Sequence, residues 1–228
     1  KILYIYRSLS IMKKIYFFIF LWMFFAPLSA QKNSLELGDK YSEDQIYLSL
    51  SYAQFFNQPT LVSKSEFSYG FSVGFLKDIT LNKEGNFSFS LGIGYGYDFF
   101  NHNLKVEEIN GSTQFSSGND LASNVFKSYN LEFPLEIRWR TSNAKKYNFW
   151  RIYTGIKFLY NVSNKFPFEE NNSSYMYKNV SDFKSFQYGL TLSAGYDDFN
   201  INVFYSLTPI FENAILNGET INSSALKF

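Results

Sequence analysis

The chain has 228 residues, with 21 Lys and Arg against 20 Asp and Glu, and a net charge of +1 makes no electrostatic case for nucleic acid. It contains no cysteine and one histidine, which excludes disulfides, thiolate metal sites and a lipidated N-terminal Cys, and makes a histidine-based metal site or triad hard to build. Aromatic residues reach 21%, with 27 Phe and 18 Tyr, yet the mean hydropathy of −0.18 excludes a bundle of transmembrane helices.

Residues 1–11 contain no Met and read as upstream translated sequence outside the fold. Met12-Lys13-Lys14 then opens an uncharged run, Ile15 to Phe25, followed by Ala26-Pro27-Leu28-Ser29-Ala30. A basic start, a short apolar run and a small-residue end make 12–30 a secretory signal peptide, with cleavage expected after Ala30. The run is too short for a spanning helix. Residues 31–45 are polar without a sustained period and read as a periplasmic lead-in; 46–228 form the folded domain.

Seven strand-like segments and a weaker eighth follow. The first is 46–56. The second, 66–78, sets Phe67, Tyr69, Phe71, Val73 and Phe75 against Ser68, Gly70, Ser72 and Gly74. The third, 86–100, alternates without a break from Phe87 to Phe99: aromatic and aliphatic residues on one parity, Ser88, Ser90, Gly92, Gly94, Gly96 and Asp98 on the other. Period two means a strand with two unlike faces. About 13 alternating residues suffice for a tilted strand to cross a bilayer and are many for a globular strand. Segments 129–140, 149–162, 186–197 and 199–208 repeat the pattern. An eighth starts near Thr220, with Leu226 and Phe228 on the lipid-facing parity. Either it is short and irregular, or the sequence stops before its natural end, which the arbitrary start favours.

Short connections follow the even-numbered segments, at Asn82-Lys83-Glu84-Gly85, Thr141 to Asn148 and Asp197-Asp198. Longer ones span 57–65, 101–128, 163–185 and 209–218. Outer-membrane barrels have short periplasmic turns, long external loops and an even strand count. The expected fold is therefore all-β: an eight-stranded antiparallel up-and-down transmembrane β-barrel in the outer membrane, surrounded by its lipid.

Ser29-Ala30-Gln31, the strand Tyr129-Asn130-Leu131-Glu132-Phe133-Pro134-Leu135-Glu136-Ile137-Arg138-Trp139-Arg140 and Phe149-Trp150-Arg151-Ile152-Tyr153-Thr154-Gly155 resemble the small outer-membrane barrels of Bacteroidetes and flavobacteria, the PorT or porin family. The resemblance covers most of 46–210. It implies an outer-membrane barrel and, through the family's best-known member, service to a gliding-associated secretion system. Envelope or secretion-machinery proteins are the partners it suggests.

Gly92, Gly94 and Gly96 lie inside a strand, where a phosphate loop would need a turn and a helix, so they read as packing residues. His102, beside Asp98 in sequence, could serve a catalytic site, but reads as a solvated loop residue. Glu107-Glu108 and Glu169-Glu170 could collect a divalent cation, but lack ligand spacing and read as solvated. Asn110-Gly111-Ser112 reads as loop composition. Glu132, Glu136, Arg138 and Arg140 share one parity, and Arg151 and Lys157 share the inward parity of the next segment. A symmetric hairpin brings Glu132 near Lys157 and Glu136 near Arg151. The lipid face penalises charge, so Glu132, Glu136, Arg138, Arg151 and Lys157 are expected inside. Trp139 and Trp150 are expected toward lipid near the periplasmic rim. An eight-stranded barrel has room only for its own side chains, so these charges read as a filled lumen. The functional expectation is a non-enzymatic barrel without cofactor or metal, in a structural, surface-binding or accessory role. A passive channel, a lipid-modifying barrel enzyme and a soluble lipocalin-type barrel are the alternatives.

Overall fold

The computed structural model describes residues 44–62, 67–118, 120–141, 150–197 and 199–228. The expected upstream stretch, the signal peptide and the lead-in up to residue 43 lie outside the described residues. Thirteen strands are assigned among them: β1 (Gln45–Phe56), β2 (Tyr69–Thr80), β3 (Phe87–Asn101), β4 (Leu104–Ile109), β5 (Ser112–Ser117), β6 (Ser123–Arg140), β7 (Trp150–Glu170), β8 (Ser173–Lys178), β9 (Phe186–Tyr196), β10 (Phe199–Ser206), β11 (Ile215–Leu216), β12 (Glu219–Thr220) and β13 (Ser224–Lys227).

Eight of them close a ring in the order β1-β2-β3-β6-β7-β9-β10-β13, with every pairing antiparallel. The ring is the eight-stranded up-and-down barrel the alternation requires. Register keeps like with like. Phe71 sits opposite Tyr97, Val73 opposite Tyr95 and Phe75 opposite Ile93 on the outer face, while Ser72 meets Gly96 and Gly74 meets Gly94 inside. A one-residue slip would invert both faces, which fixes the register. The glycines make room for one side chain: a Cβ at Gly74 or Gly94 would run into the Tyr47 ring, which reaches across the lumen from β1.

The long connections depart from expectation, because much of what reads as loop is strand. β6 begins at Ser123, six residues before the expected start, and β7 runs to Glu170 rather than Val162. A bulge between Tyr129 and Asn130, opposite Asn161 and Ser163, shifts the register and turns Asn164, Phe166 and Phe168 inward. Above it β7 exchanges β9 for β8 as its neighbour. Residues 104–117 form the β4–β5 hairpin rather than a loop. Asn110 (φ 51°) and Gly111 (φ 78°) turn it, and Asn217 (φ 50°) and Gly218 (φ 85°) turn β11 into β12. Two consecutive positive φ angles suit tight hairpins, and Asn-Gly is the pair that adopts them most readily. The eighth barrel strand starts at Ser224. Thr220 belongs to β12, and Leu226 and Phe228 face outward from β13.

The interior has two layers. From the short-turn end up to Asp98, Ser128 and Asn164 the inward parity is mostly polar or glycine, interrupted by Leu76, Pro134, Leu159 and Phe204. Beyond that level it turns apolar, and Phe55, Phe100, Phe126 and Phe166 stack in series with ring centroids 4.1, 5.6 and 4.8 Å apart. Val62, Leu104, Val106, Phe183, Ile210 and Phe211 from the connections close over this stack. The barrel thus carries an apolar cap at its long-connection end.

Candidate functional site

The polar layer of the lumen is the candidate site. β6 projects Asn130, Glu132, Glu136, Arg138 and Arg140 inward, with Pro134 between the two glutamates, and β1, β2, β3, β7 and β13 supply the partners. Lys157 Nζ lies 3.0 Å from Glu132 Oε2, and the same carboxylate accepts hydrogen bonds from the Tyr47 hydroxyl (3.2 Å) and the Ser72 hydroxyl (3.0 Å). Arg138 donates from Nε to Glu136 Oε2 at 2.9 Å and lies over the Tyr153 ring, 4.4 Å from its centroid. Arg140 donates to Asp78 Oδ2 at 2.9 Å and to the Gly85 carbonyl at 2.9 Å, where the β2–β3 turn folds under the barrel. Ser88 donates to the other Asp78 oxygen at 2.8 Å. Lys227 Nζ sits 2.6 Å from both Asp98 oxygens, and Asn130 donates to Asp98 Oδ2 at 3.3 Å. Each of these buried carboxylates is thus matched by a cation, and Glu132, Asp78 and Asp98 by further donors, the condition under which buried charge is tolerated.

Glu132, Glu136, Arg138 and Arg151 are buried on the inward parity, and Lys157 is half-buried. Trp139 and Trp150 are exposed on the outer face, beside the connection that joins β6 to β7. The hairpin is offset from the symmetric register: Pro134, not Glu132, stands opposite Lys157, and Gly155 stands opposite Glu136. Lys157 still reaches Glu132 diagonally. Glu136 takes Arg138 from its own strand, two residues on, where the symmetric register had suggested Arg151. Asp78, Asp98 and Lys227 complete the network without having been singled out for it. Their inward parity was readable, but their partners lie 62, 32 and 129 residues away.

His102 is not solvated. It lies buried under the cap, edge-on to Phe55 and Phe126, with Nδ1 accepting the Leu104 backbone N–H at 3.1 Å. Burial among apolar groups pushes its pKa down to about 4. Asp98 is engaged by Lys227 and Asn130. Glu107 and Glu170 both hold Lys105, at 3.3 and 2.9 Å, and Glu108 accepts from Thr113 and from the Ser181 backbone. These three acids are therefore partnered by protein groups rather than left solvated. Among the described residues no group of three or more His, Cys, Asp or Glu is arranged to hold a metal ion.

Two cavities open beside the charges. One of about 560 Å³ is lined by Tyr47, Glu136, Arg138, Arg151, Lys157 and Asn202, among others. Another, of about 300 Å³, lies between Ser49, Glu132, Asn200, Phe204 and Lys227.

An outer membrane protein β-barrel domain matches residues 29–212. No curated protein and no solved structure matches the chain. The ring of eight antiparallel strands, its apolar outer face and a match over most of the length agree: this chain belongs to the outer membrane β-barrel domain family and is a barrel of the outer membrane.

Proposed function

We propose that the chain is exported by the signal peptide 12–30, cleaved near Ala30, and works as a non-enzymatic barrel that is closed to solutes. Its short turns face the periplasm and its cap faces outward. The charges of Glu132, Glu136, Arg138, Arg151 and Lys157 fill the lumen rather than line a pore, and Trp139 and Trp150 anchor the periplasmic rim. The observation that carries this reading is the apolar cap, with its stack of Phe55, Phe100, Phe126 and Phe166 across the mouth above the paired charges. A hydrated pore would need an opening through that stack. The cap hairpins give the outside a folded surface suited to binding. The resemblance to PorT-like barrels supports an accessory role beside envelope or secretion-machinery proteins.

Purified protein in planar bilayers is expected to show no steady conductance, and Arg151→Ala to lower stability. Stable ion-selective channels from the unsubstituted protein, with Arg151→Ala altering selectivity and leaving folding intact, would instead establish a passive channel.

A further inference from the structure

Three lysines stand in one row on the outer face. Lys127 of β6 is directly opposite Lys165 of β7, and Lys165 is directly opposite Lys178 of β8. Phe99 of β3 is next in the same row. Neighbouring strands lie about 4.8 Å apart, so the three side chains start within about 10 Å of one another. Like charges directly opposite each other destabilise a sheet. No carboxylate offsets these: among the described residues none of the three lysines makes an ion pair. The first acid on the outward parity of β7, Glu169, lies two outward positions beyond Lys165, about 13 Å along the strand.

The row lies where the apolar band ends. The outward residues of β6 run Trp139, Ile137, Leu135, Phe133, Leu131 and Tyr129 before Lys127 is reached. From Trp139 to Tyr129 the strand covers about 33 Å, or about 25 Å along the bilayer normal at a tilt of about 40°, the height of the apolar band in such barrels. Tyrosines gather at this end: the Tyr97 and Tyr129 rings are 5.2 Å apart, and Tyr69 stacks on Phe99 at 5.0 Å. Amphipathic rings of this kind mark the membrane–water interface. Lys127 Nζ lies 5.8 Å from the centre of the Phe99 ring, and Lys165 Nζ lies 4.9 Å from that of Tyr129. Both stems thus rest on aromatic surface and hold their ammonium groups at headgroup height.

We propose that Lys127, Lys165 and Lys178 form a binding site for a membrane lipid whose headgroup carries a phosphate monoester. Such a group carries about −1.5 to −2 charges near pH 7, so one headgroup offsets most of the row. Lysine suits the task, because an ammonium on a flexible stem binds phosphate as a point charge, and three stems from adjacent strands can converge on one group. Basic clusters at a membrane surface attract anionic lipid in the same way. The apolar band directly below, with Leu131, Phe133 and Tyr160 facing outward, receives the acyl chains. A soluble phosphate or an acidic protein segment would meet the charges but leave that band unused. Which leaflet supplies the lipid rests on the orientation proposed above; the contact of lysines with phosphate does not.

The test uses the full chain in neutral detergent micelles, so neither orientation nor conductance affects the result. Native mass spectrometry counts bound lipid as dipalmitoyl phosphatidic acid, a phosphate monoester, is titrated in. One molecule is expected to bind at least about tenfold more tightly than dipalmitoyl phosphatidylcholine, and less tightly as salt rises. Lys127→Gln, Lys165→Gln and Lys178→Gln are expected to weaken binding about fivefold each, and the three together at least about thirtyfold. Arginine at all three positions should retain binding, and Lys83→Gln in the β2–β3 turn should leave it unchanged. Without lipid, the triple Gln variant should unfold at the same urea concentration as the unsubstituted chain or a higher one, since it removes like-charge pairs. The proposal is overturned if the triple Gln variant binds phosphatidic acid undiminished, or if phosphatidylcholine binds equally well. It is overturned too if glycerol 3-phosphate displaces the lipid at equal concentration, which would mark a site for soluble phosphate, or if polyglutamate does so, which would mark a protein-docking surface.

Discussion

Replacing Lys157 by Met isolates the energetics of the filled lumen. Lys157 reaches Glu132 at 3.0 Å; its side chain is 17% exposed and that of Glu132 is 1% exposed. Methionine keeps most of the volume and removes the charge, leaving a buried carboxylate without its cation. Breaking a fully buried pair costs about 3–5 kcal/mol. Two features reduce the cost here. Tyr47 and Ser72 still donate to Glu132, and the neighbouring cavities admit water to the Lys157 side. We therefore expect a loss of about 2–3 kcal/mol. Adding Glu132→Gln removes the stranded charge, and the double variant is expected within about 1 kcal/mol of the unsubstituted protein. Urea unfolding in micelles, followed through Trp139 and Trp150, measures each step. A Lys157→Met variant that unfolds with the unsubstituted protein, or a double variant as unstable as the single one, refutes the buried-pair reasoning.

Three further outcomes follow from other parts of the structure. The His102 ring is held neutral, with its pKa near 4 against 6.5 in the unfolded chain, so the unfolded state takes the proton first. Stability should therefore fall as pH drops from about 6.5 to 4, by about 3 kcal/mol at the lower end; His102→Gln should remove that component from a pH series of urea midpoints. Gly94→Ala sets a methyl group against the Tyr47 hydroxyl and should cost about 1–3 kcal/mol, partly recovered by adding Tyr47→Phe; an unchanged urea midpoint would contradict the contact. Leu135→Arg on the outward face of β6 should cost about 2–4 kcal/mol in lipid vesicles, and Trp139→Arg, next to the turn, about 1 kcal/mol or less beyond its lost packing. Equal costs at the two positions would mean that depth in the bilayer does not govern the outer face.

The sequence by itself determined the barrel. Period-two alternation assigns each residue of 69–80, 87–99, 131–140 and 186–196 to a face, because a strand has only two sides. Charge is tolerated on one face only, so parity alone placed Glu132, Glu136, Arg138, Arg151 and Lys157 together. Connection lengths ordered the strands around the ring. Tertiary structure decided what parity cannot carry. The register that the β6–β7 turn sets, with Arg140 opposite Arg151, makes the Lys157–Glu132 contact diagonal and leaves Glu136 to Arg138 of its own strand. Asp78 meets Arg140 across the intervening β3, and Asp98 meets Lys227 only when the β1–β13 pairing closes the ring. The cap was half legible: Asn110-Gly111 and Asn217-Gly218 are hairpin signals, and Phe100 and Phe126 continue the inward parity of their strands, whereas Phe166 comes inward only through the bulge. That those rings stack into one plug, bury His102 and close the mouth depends on four strands meeting at one level, which no local pattern specifies.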